Sequence, residues 1–174
     1  IPKKIHYCWF GGGDMPPRFQ KNIDTWRKYC PDYEIVRWDE NNYDMTKNRY
    51  MRQACEKHMW GYVSDYARLD VINQYGGIYL DTDVEAVRSF DSLLGYGLFC
   101  GFQDRDYVNF GVGFGAKSGH PILEELLGLY GELSFINKDG SLNLTTCPIY
   151  QTQILERHGL QSNGMPQCIE DCLV

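Results

Sequence analysis

An α/β domain with a mostly parallel sheet flanked by helices is the architecture this sequence predicts. Three observations carry it. Short β-prone runs alternate with stretches of helical apolar spacing, as in β-α-β units. The chain of 174 residues fits one domain (1–174) able to bury a core without staples. Its 43% apolar and 14% aromatic composition, without a low-complexity tract, excludes disorder and fibrous repeats.

The elements follow in order. Ile5-His6-Tyr7-Cys8-Trp9-Phe10 reads as a first strand, released into a loop by Gly11-Gly12-Gly13. Pro17 suits the first turn of a helix whose Phe19, Ile23 and Trp26 recur at helical spacing. Pro31-Asp32 stops it, and Tyr33 to Trp38 reads as a second strand. From Tyr50 to Tyr75 the pattern predicts one long helix, with Met59, Val63, Ala67 and Val71 every four residues. Gly76-Gly77 caps it, and Ile78-Tyr79-Leu80 follows as a short buried strand. Leu98 to Phe102 predicts another strand. Val108, Phe110, Val112 and Phe114 alternate with Asn109, Gly111, Gly113 and Gly115, a period of two with one bare face. Glycine on that face signals close approach of a backbone or a ligand. Pro121 to Tyr130 and Pro148 to Arg157 read as helices, the latter closed by Gly159.

Composition bounds the function. With 17 Lys+Arg against 23 Asp+Glu and a net charge of −6, no nucleic-acid partner is expected. No apolar run approaches the roughly 18 residues of a membrane span. The start, Ile1-Pro2-Lys3-Lys4, leads into only a short apolar stretch, so no secretory leader is expected. Seven scattered cysteines without a Cys-x-x-Cys suit buried, reduced thiols, and hence the cytoplasm. Zinc would need long-range assembly with His6, His58, His120 or His158.

Two Asp-x-Asp triplets occur, Asp81-Thr82-Asp83 and Asp104-Arg105-Asp106. Fourteen aspartates predict about one by chance, so context decides. The second sits in a polar patch and reads as a solvated turn. The first follows a buried strand, at the sheet edge where open α/β folds bind ligands. Two carboxylates there need a cation or donors between them, and oxygen ligands suit Mg²⁺ or Mn²⁺. Upstream, Asp65 and Arg68 lie three apart on the long helix. They read either as a surface pair worth about 0.2–0.5 kcal/mol or as neighbours of the Asp81 strand end. Trp9, beside three glycines, reads either as a core aromatic or as a platform for a nucleobase.

Ser64-Asp65-x-x-Arg68 followed by Tyr75-Gly76-Gly77-Ile78-Tyr79-Leu80-Asp81-Thr82-Asp83 resembles the core signature of the glycosyltransferases with a sugar-binding DXD region. That group includes glycosyltransferase family 32 and, more distantly, the clostridial glucosylating toxins. The opening Ile1 to Gly12, and Asn109 to Pro121, also resemble bacterial family-32 enzymes of capsular or other surface polysaccharides. The resemblance implies a GT-A fold and retaining, metal-dependent transfer of a hexose, from a UDP-hexose in the first instance, to a saccharide or lipid-linked glycan at the inner face of the cell membrane.

Carried over by position, Asp83 is the main metal ligand, and Asp81 serves the metal shell and the ribose. Asp65 and Arg68 hold sugar hydroxyls and phosphate, Ser64 and Tyr79 shape the pocket, and Asn109 faces the transferring sugar or acceptor. Cys8, Trp9, Phe10 and Gly11 cradle the nucleotide. Whether Asp65 is a nucleophile or the reaction is front-face stays open. Members of the family continue, past the equivalent of Val174, into a segment with an aromatic-Pro pair and a histidine near Ser-Trp. These 174 residues are expected to lack it. Two rival classes remain: a module that binds nucleotide-sugar without turnover, and a haloacid-dehalogenase-type phosphatase, which would need its triplet on the first strand.

Overall fold

The computed structural model describes residues 1–174. Its sheet is built from β1 (Lys4–Cys8), β2 (Glu34–Trp38), β3 (Gly77–Tyr79), β4 (Leu98–Phe99), β5 (Phe114–Ala116), β6 (Cys168–Ile169) and β7 (Cys172–Leu173), in the order β2-β1-β3-β5-β4-β7-β6. The α/β class is as expected, but the sheet is mixed rather than mostly parallel. β1 pairs in parallel with β2 and β3, and β4 with β7, whereas β5 runs antiparallel to both β3 and β4, and β6 to β7.

Helix α1 (Pro17–Tyr29) packs on one face, burying Ile23 and Trp26 against Ile5, Tyr7 and Ile78. The other face carries α2 (Arg49–Glu56), α3 (Trp60–Tyr75), α4 (Pro121–Glu132) and α5 (Cys147–Arg157) over the larger core. No helix is long and apolar enough to cross a membrane. All seven cysteines are free, and no three His, Cys, Asp or Glu converge on a metal-sized site.

The single helix expected over Tyr50–Tyr75 is two. The Met59 N–H donates to the Ala54 carbonyl (2.9 Å), and His58 takes φ +55°, which turns the chain before α3. Apolar spacing survives such a break, because both helices bury the same side. Gly76, at φ +63°, ends α3 and feeds β3 directly. At Gly77, φ +111°, a Cβ would stand 2.9 Å from the Lys4 carbonyl oxygen, so β1 and β3 pair this closely only around a glycine.

The strand expected over Val108–Phe114 is the second departure. Phe110–Val112 forms a 3-10 turn, and only Phe114–Ala116 joins the sheet. The Asn109 carboxamide oxygen accepts from the Gly111 N–H (2.7 Å) and caps that turn. The N–H groups a ladder would need are taken by side chains, Val108 by Thr152 and Phe110 by Gln151, both at 2.9 Å. Val112 is consequently 45% exposed. Beyond β4, Phe102 makes only an isolated bridge to Val108, so the strand expected to Phe102 stops at Phe99.

Candidate active site

Parallel β1 and β3 end together, and their exits form the floor of the site. Asp81 leaves β3 one residue after Leu80, whose N–H donates to the His6 carbonyl. Helix α1 then ties down the segment that follows: Asn22 Nδ2 donates to the Thr82 carbonyl (2.8 Å), Trp26 Nε1 to the Val84 carbonyl (2.9 Å), and the Ala86 N–H to Thr25 Oγ1 (2.8 Å). Three residues on one helix face thereby hold the Thr82–Ala86 segment. Trp26 entered the sequence reading only as an apolar position of the helix, and Asn22 and Thr25 escaped it because polar side chains beside Ile23 are ordinary for a surface helix.

Asp65 and Arg68 are 8% and 4% exposed, which removes the surface-pair reading. Arg68 Nη2 lies 3.2 Å from Asp65 Oδ1 and 3.3 Å from Asp81 Oδ1, so one nitrogen serves both carboxylates. Its Nε donates to the Ser64 carbonyl (3.1 Å), and its guanidinium lies 5.0 Å from the Tyr79 ring centre. The Tyr79 hydroxyl donates to Asp81 Oδ1 (2.9 Å). Burial opposes the Arg68 charge, but Asp81, Tyr79 and Asp65 outweigh it and hold its pKa above the ordinary range. Burial raises Asp65 above the usual carboxylate range, with Arg68 pulling the other way. The Cys8 thiol, buried behind this group, is pushed up to about 12.

Gly111 closes the group from the opposite side. Its carbonyl accepts from the Asp81 N–H (3.2 Å). A Cβ there would stand 2.6 Å from Asp81 Oδ2 and 2.7 Å from Arg68 Nη1. The close approach expected from the bare glycine face is thus an approach to the Asp81–Arg68 pair.

Two lobes open on either side of that pair. One, of about 430 Å³, is walled by Cys8, Trp9, Phe10, Phe19 and Trp60, with Ser64, Thr82 and Asp83 on its polar side. The other, of about 250 Å³, is lined by Asp65, Asn109, Tyr62, Thr146 and Cys147. Gly61, Arg68 and Asp81 belong to both. Trp9 packs on Phe19 with ring centres 5.4 Å apart and donates Nε1–H to the Gly13 carbonyl (2.8 Å), presenting an aromatic wall to the first lobe. Gly11, at φ +102°, lies under Trp60, where a Cβ would be 2.8 Å from the indole nitrogen, and its N–H donates to Glu40. Ser64 faces the first lobe while its hydroxyl donates to the Trp60 carbonyl (3.1 Å). Tyr79 lines neither lobe and acts from behind, through Asp81. Asn109 lines the second lobe, its Nδ2 donating to Gln103 Oε1 (2.7 Å).

Asp83 is exposed and makes no hydrogen bond or ion pair within the chain, although it borders the first lobe. With Asp81 it offers carboxylate oxygens at a strand end, the donor set a hard divalent cation takes when phosphate and water complete its shell. The second triplet is the turn the sequence predicts: Asp104 Oδ1 accepts from the Asp106 and Tyr107 N–H groups, both at 2.9 Å. Phe19, Trp60, Gly111 and Cys147 were not singled out individually as site residues. Only the glycine alternation pointed near one of them.

Residues 16–99 match the family model described as glycosyltransferase sugar-binding region containing DXD motif. Among curated proteins, the inositol phosphoceramide mannosyltransferase 3 of Schizosaccharomyces pombe is 30% identical over 131 residues, covering 73% of this chain and 36% of that protein. An uncharacterized glycosyltransferase of Acanthamoeba polyphaga mimivirus is 24% identical over 156 residues, covering 83% of this chain and 60% of that protein. The chain therefore spans less than two thirds of either. The solved PaToxG glycosyltransferase has the same fold, with a TM-score of 0.65 at 20% identity over 90% of this chain and 68% of that one. Over residues 16–99 the chain is thus similar to the DXD-containing sugar-binding region of the glycosyltransferases.

Proposed function

We propose that this chain is the donor-binding catalytic domain of a retaining glycosyltransferase. It moves a hexose from a nucleotide-diphosphate sugar to a saccharide or lipid-linked glycan, with Mn²⁺ or Mg²⁺ held by Asp81 and Asp83. One observation carries the reading: a single buried arginine nitrogen within 3.2 and 3.3 Å of Asp65 and Asp81, between an aromatic lobe and a polar one. The nucleoside fits the aromatic lobe, where Trp9, Phe19 and Trp60 offer ring surface, and the sugar fits the polar lobe, where Asp65 and Asn109 reach hydroxyls. The diphosphate then lies across Arg68.

Departure of a nucleoside diphosphate builds negative charge on its oxygens, and a fixed guanidinium lowers the barrier by being in place before that charge appears. A divalent ion on Asp81 and Asp83 would supply further charge at the same oxygens. Asp65 already gives one oxygen to Arg68, which supports a holding role toward sugar hydroxyls over nucleophilic attack.

A mannosyl donor is the second reading, favoured by the mannosyltransferase name of the Schizosaccharomyces pombe relative. Calorimetry against UDP-hexoses and GDP-mannose, with and without Mn²⁺, tests both. Mn²⁺-dependent binding and donor hydrolysis are expected with one nucleotide-sugar. Binding without turnover would make the chain a binding module. Hydrolysis of phosphomonoesters instead would make it a phosphatase.

A further inference from the structure

Two buried polar residues on α5 take no part in the lobes yet grip the segment that backs them. Gln151 is 1% and Thr152 3% exposed. Gln151 Oε1 accepts from the Phe110 N–H and Thr152 Oγ1 from the Val108 N–H, both at 2.9 Å. These bonds fall on either side of Asn109. The next residue after Phe110 is Gly111, where an added Cβ would stand 2.6 Å from Asp81 Oδ2 and 2.7 Å from Arg68 Nη1.

Gln151 Nε2 is buried and makes no hydrogen bond within the chain. An apolar side chain of similar volume would avoid that cost, so packing alone does not account for a glutamine here. Its working atom is the acceptor, and the acceptor fixes the turn.

We infer that Gln151 is a positioning residue for the donor site: through the Phe110 N–H it sets how close Gly111 stands to the Asp81–Arg68 pair. Asp81 is held from behind by Tyr79 and from the backbone by the Gly111 carbonyl. A turn that drifts outward releases the second of these and opens the space around Arg68. This inference rests on the donor-site reading above for its functional meaning, but its geometry can be tested without any ligand.

The test uses the whole chain and two variants. Gln151→Met keeps the volume and removes the acceptor, whereas Gln151→Glu, whose carboxyl burial keeps protonated below neutral pH, retains a carbonyl acceptor and puts a hydroxyl where the unused amide nitrogen stands. In ¹⁵N NMR, the buried Arg68 Nε–H and the Asp81 amide are expected to shift and broaden in Gln151→Met and to stay near their wild-type positions in Gln151→Glu. Calorimetry with Mn²⁺ and UDP-glucose or GDP-mannose is expected to show about tenfold weaker binding in Gln151→Met, restored in Gln151→Glu. If Gln151→Met does not fold, Gln151→Leu removes the same acceptor from the Phe110 N–H and carries the same expectation. Unmoved Arg68 and Asp81 signals in a folded Gln151→Met or Gln151→Leu, with only a lower melting temperature, would overturn the proposal. A wild-type chain that binds neither nucleotide-sugar would sink the functional reading alone, since the Arg68 signal still decides the positioning role.

Discussion

Arg68 Nη2 stands 3.3 Å from Asp81 Oδ1, so the helix-borne cation and the first carboxylate of the Asp81-Thr82-Asp83 triplet form an ion pair within the chain itself. The same nitrogen is 3.2 Å from Asp65, and Arg68 and Asp81 stand where the two lobes meet. A site arranged this way needs little reorganisation as charge develops on a bound diphosphate.

Replacing that cation tests its structural share first. Arg68→Met leaves the Asp65 carboxylate buried without its partner, and breaking a buried pair costs about 3–5 kcal/mol. Denaturant unfolding should show that loss at pH 8 and a smaller one at pH 5, because a carboxyl raised by burial takes up a proton as the pH falls. Arg68→Lys should fold better, yet one ammonium cannot serve Asp65, Asp81 and the Ser64 carbonyl together. Its affinity for a nucleoside diphosphate should fall by about tenfold. Unchanged affinity in Arg68→Lys would remove the phosphate role.

Asp65 separates a sugar site from a generic nucleotide pocket. It lines only the polar lobe, while Arg68 borders both. Asp65→Asn should weaken intact nucleotide-sugar by about 1–3 kcal/mol, the cost of unpaired hydroxyl contacts, and the nucleoside diphosphate far less. Calorimetry on the two ligands reads the difference. Equal losses would return Asp65 to a purely structural partner of Arg68.

What the sequence made legible follows from how each contact is encoded. That Asp65, Arg68 and Asp81 stand together was legible because a short local stretch carries them and α3 passes through Gly76 straight into β3, so neighbours in sequence become neighbours in space. Gln151 and Gly111 are 40 positions apart, and nothing local says that one fixes the other. The Val108–Phe114 alternation misled for a related reason. Val108, Phe110 and Phe114 are all buried, as a strand would require, but Gln151 and Thr152 satisfy the backbone in place of a ladder. The break at His58 was hidden because apolar spacing reports which side is buried, not whether the helix is continuous.

His6 makes folding stability pH-dependent. It is buried, its Nδ1 accepts from Trp38 Nε1–H (3.1 Å), and its Nε2 bonds to the Gly76 carbonyl (3.0 Å), an arrangement that suits the neutral ring. Burial lowers its pKa to about 4 from the ordinary 6.5. Between those values the unfolded chain binds the proton and the folded chain does not. His6 therefore supports the fold above pH 6.5 and withdraws that support as the pH falls toward 4, by up to about 3 kcal/mol. Denaturant unfolding from pH 7.5 to 4 should show a shallower decline in His6→Gln than in wild type. Parallel curves would mean that His6 protonates in the folded protein without penalty.

Asp83 and Asp104 belong to rival triplets, and their surroundings predict opposite outcomes. Asp83 is exposed at the edge of the first lobe and bonds to nothing in the chain, so removing it costs the fold little. Surface positions of this kind shift stability by about 0.5 kcal/mol or less. Asp104 accepts two backbone N–H groups at 2.9 Å, which holds its carboxyl below the usual range and stabilises its turn. Asp83→Ala should keep the wild-type melting temperature and lose Mn²⁺-dependent nucleotide binding, while Asp104→Ala should loosen its own loop and bind normally. Thermal unfolding and calorimetry on both variants give the comparison. Should Asp83→Ala retain Mn²⁺-dependent affinity while Asp104→Ala loses it, the cation belongs to the second triplet, and a turn already saturated by backbone N–H groups would have to be the binding site.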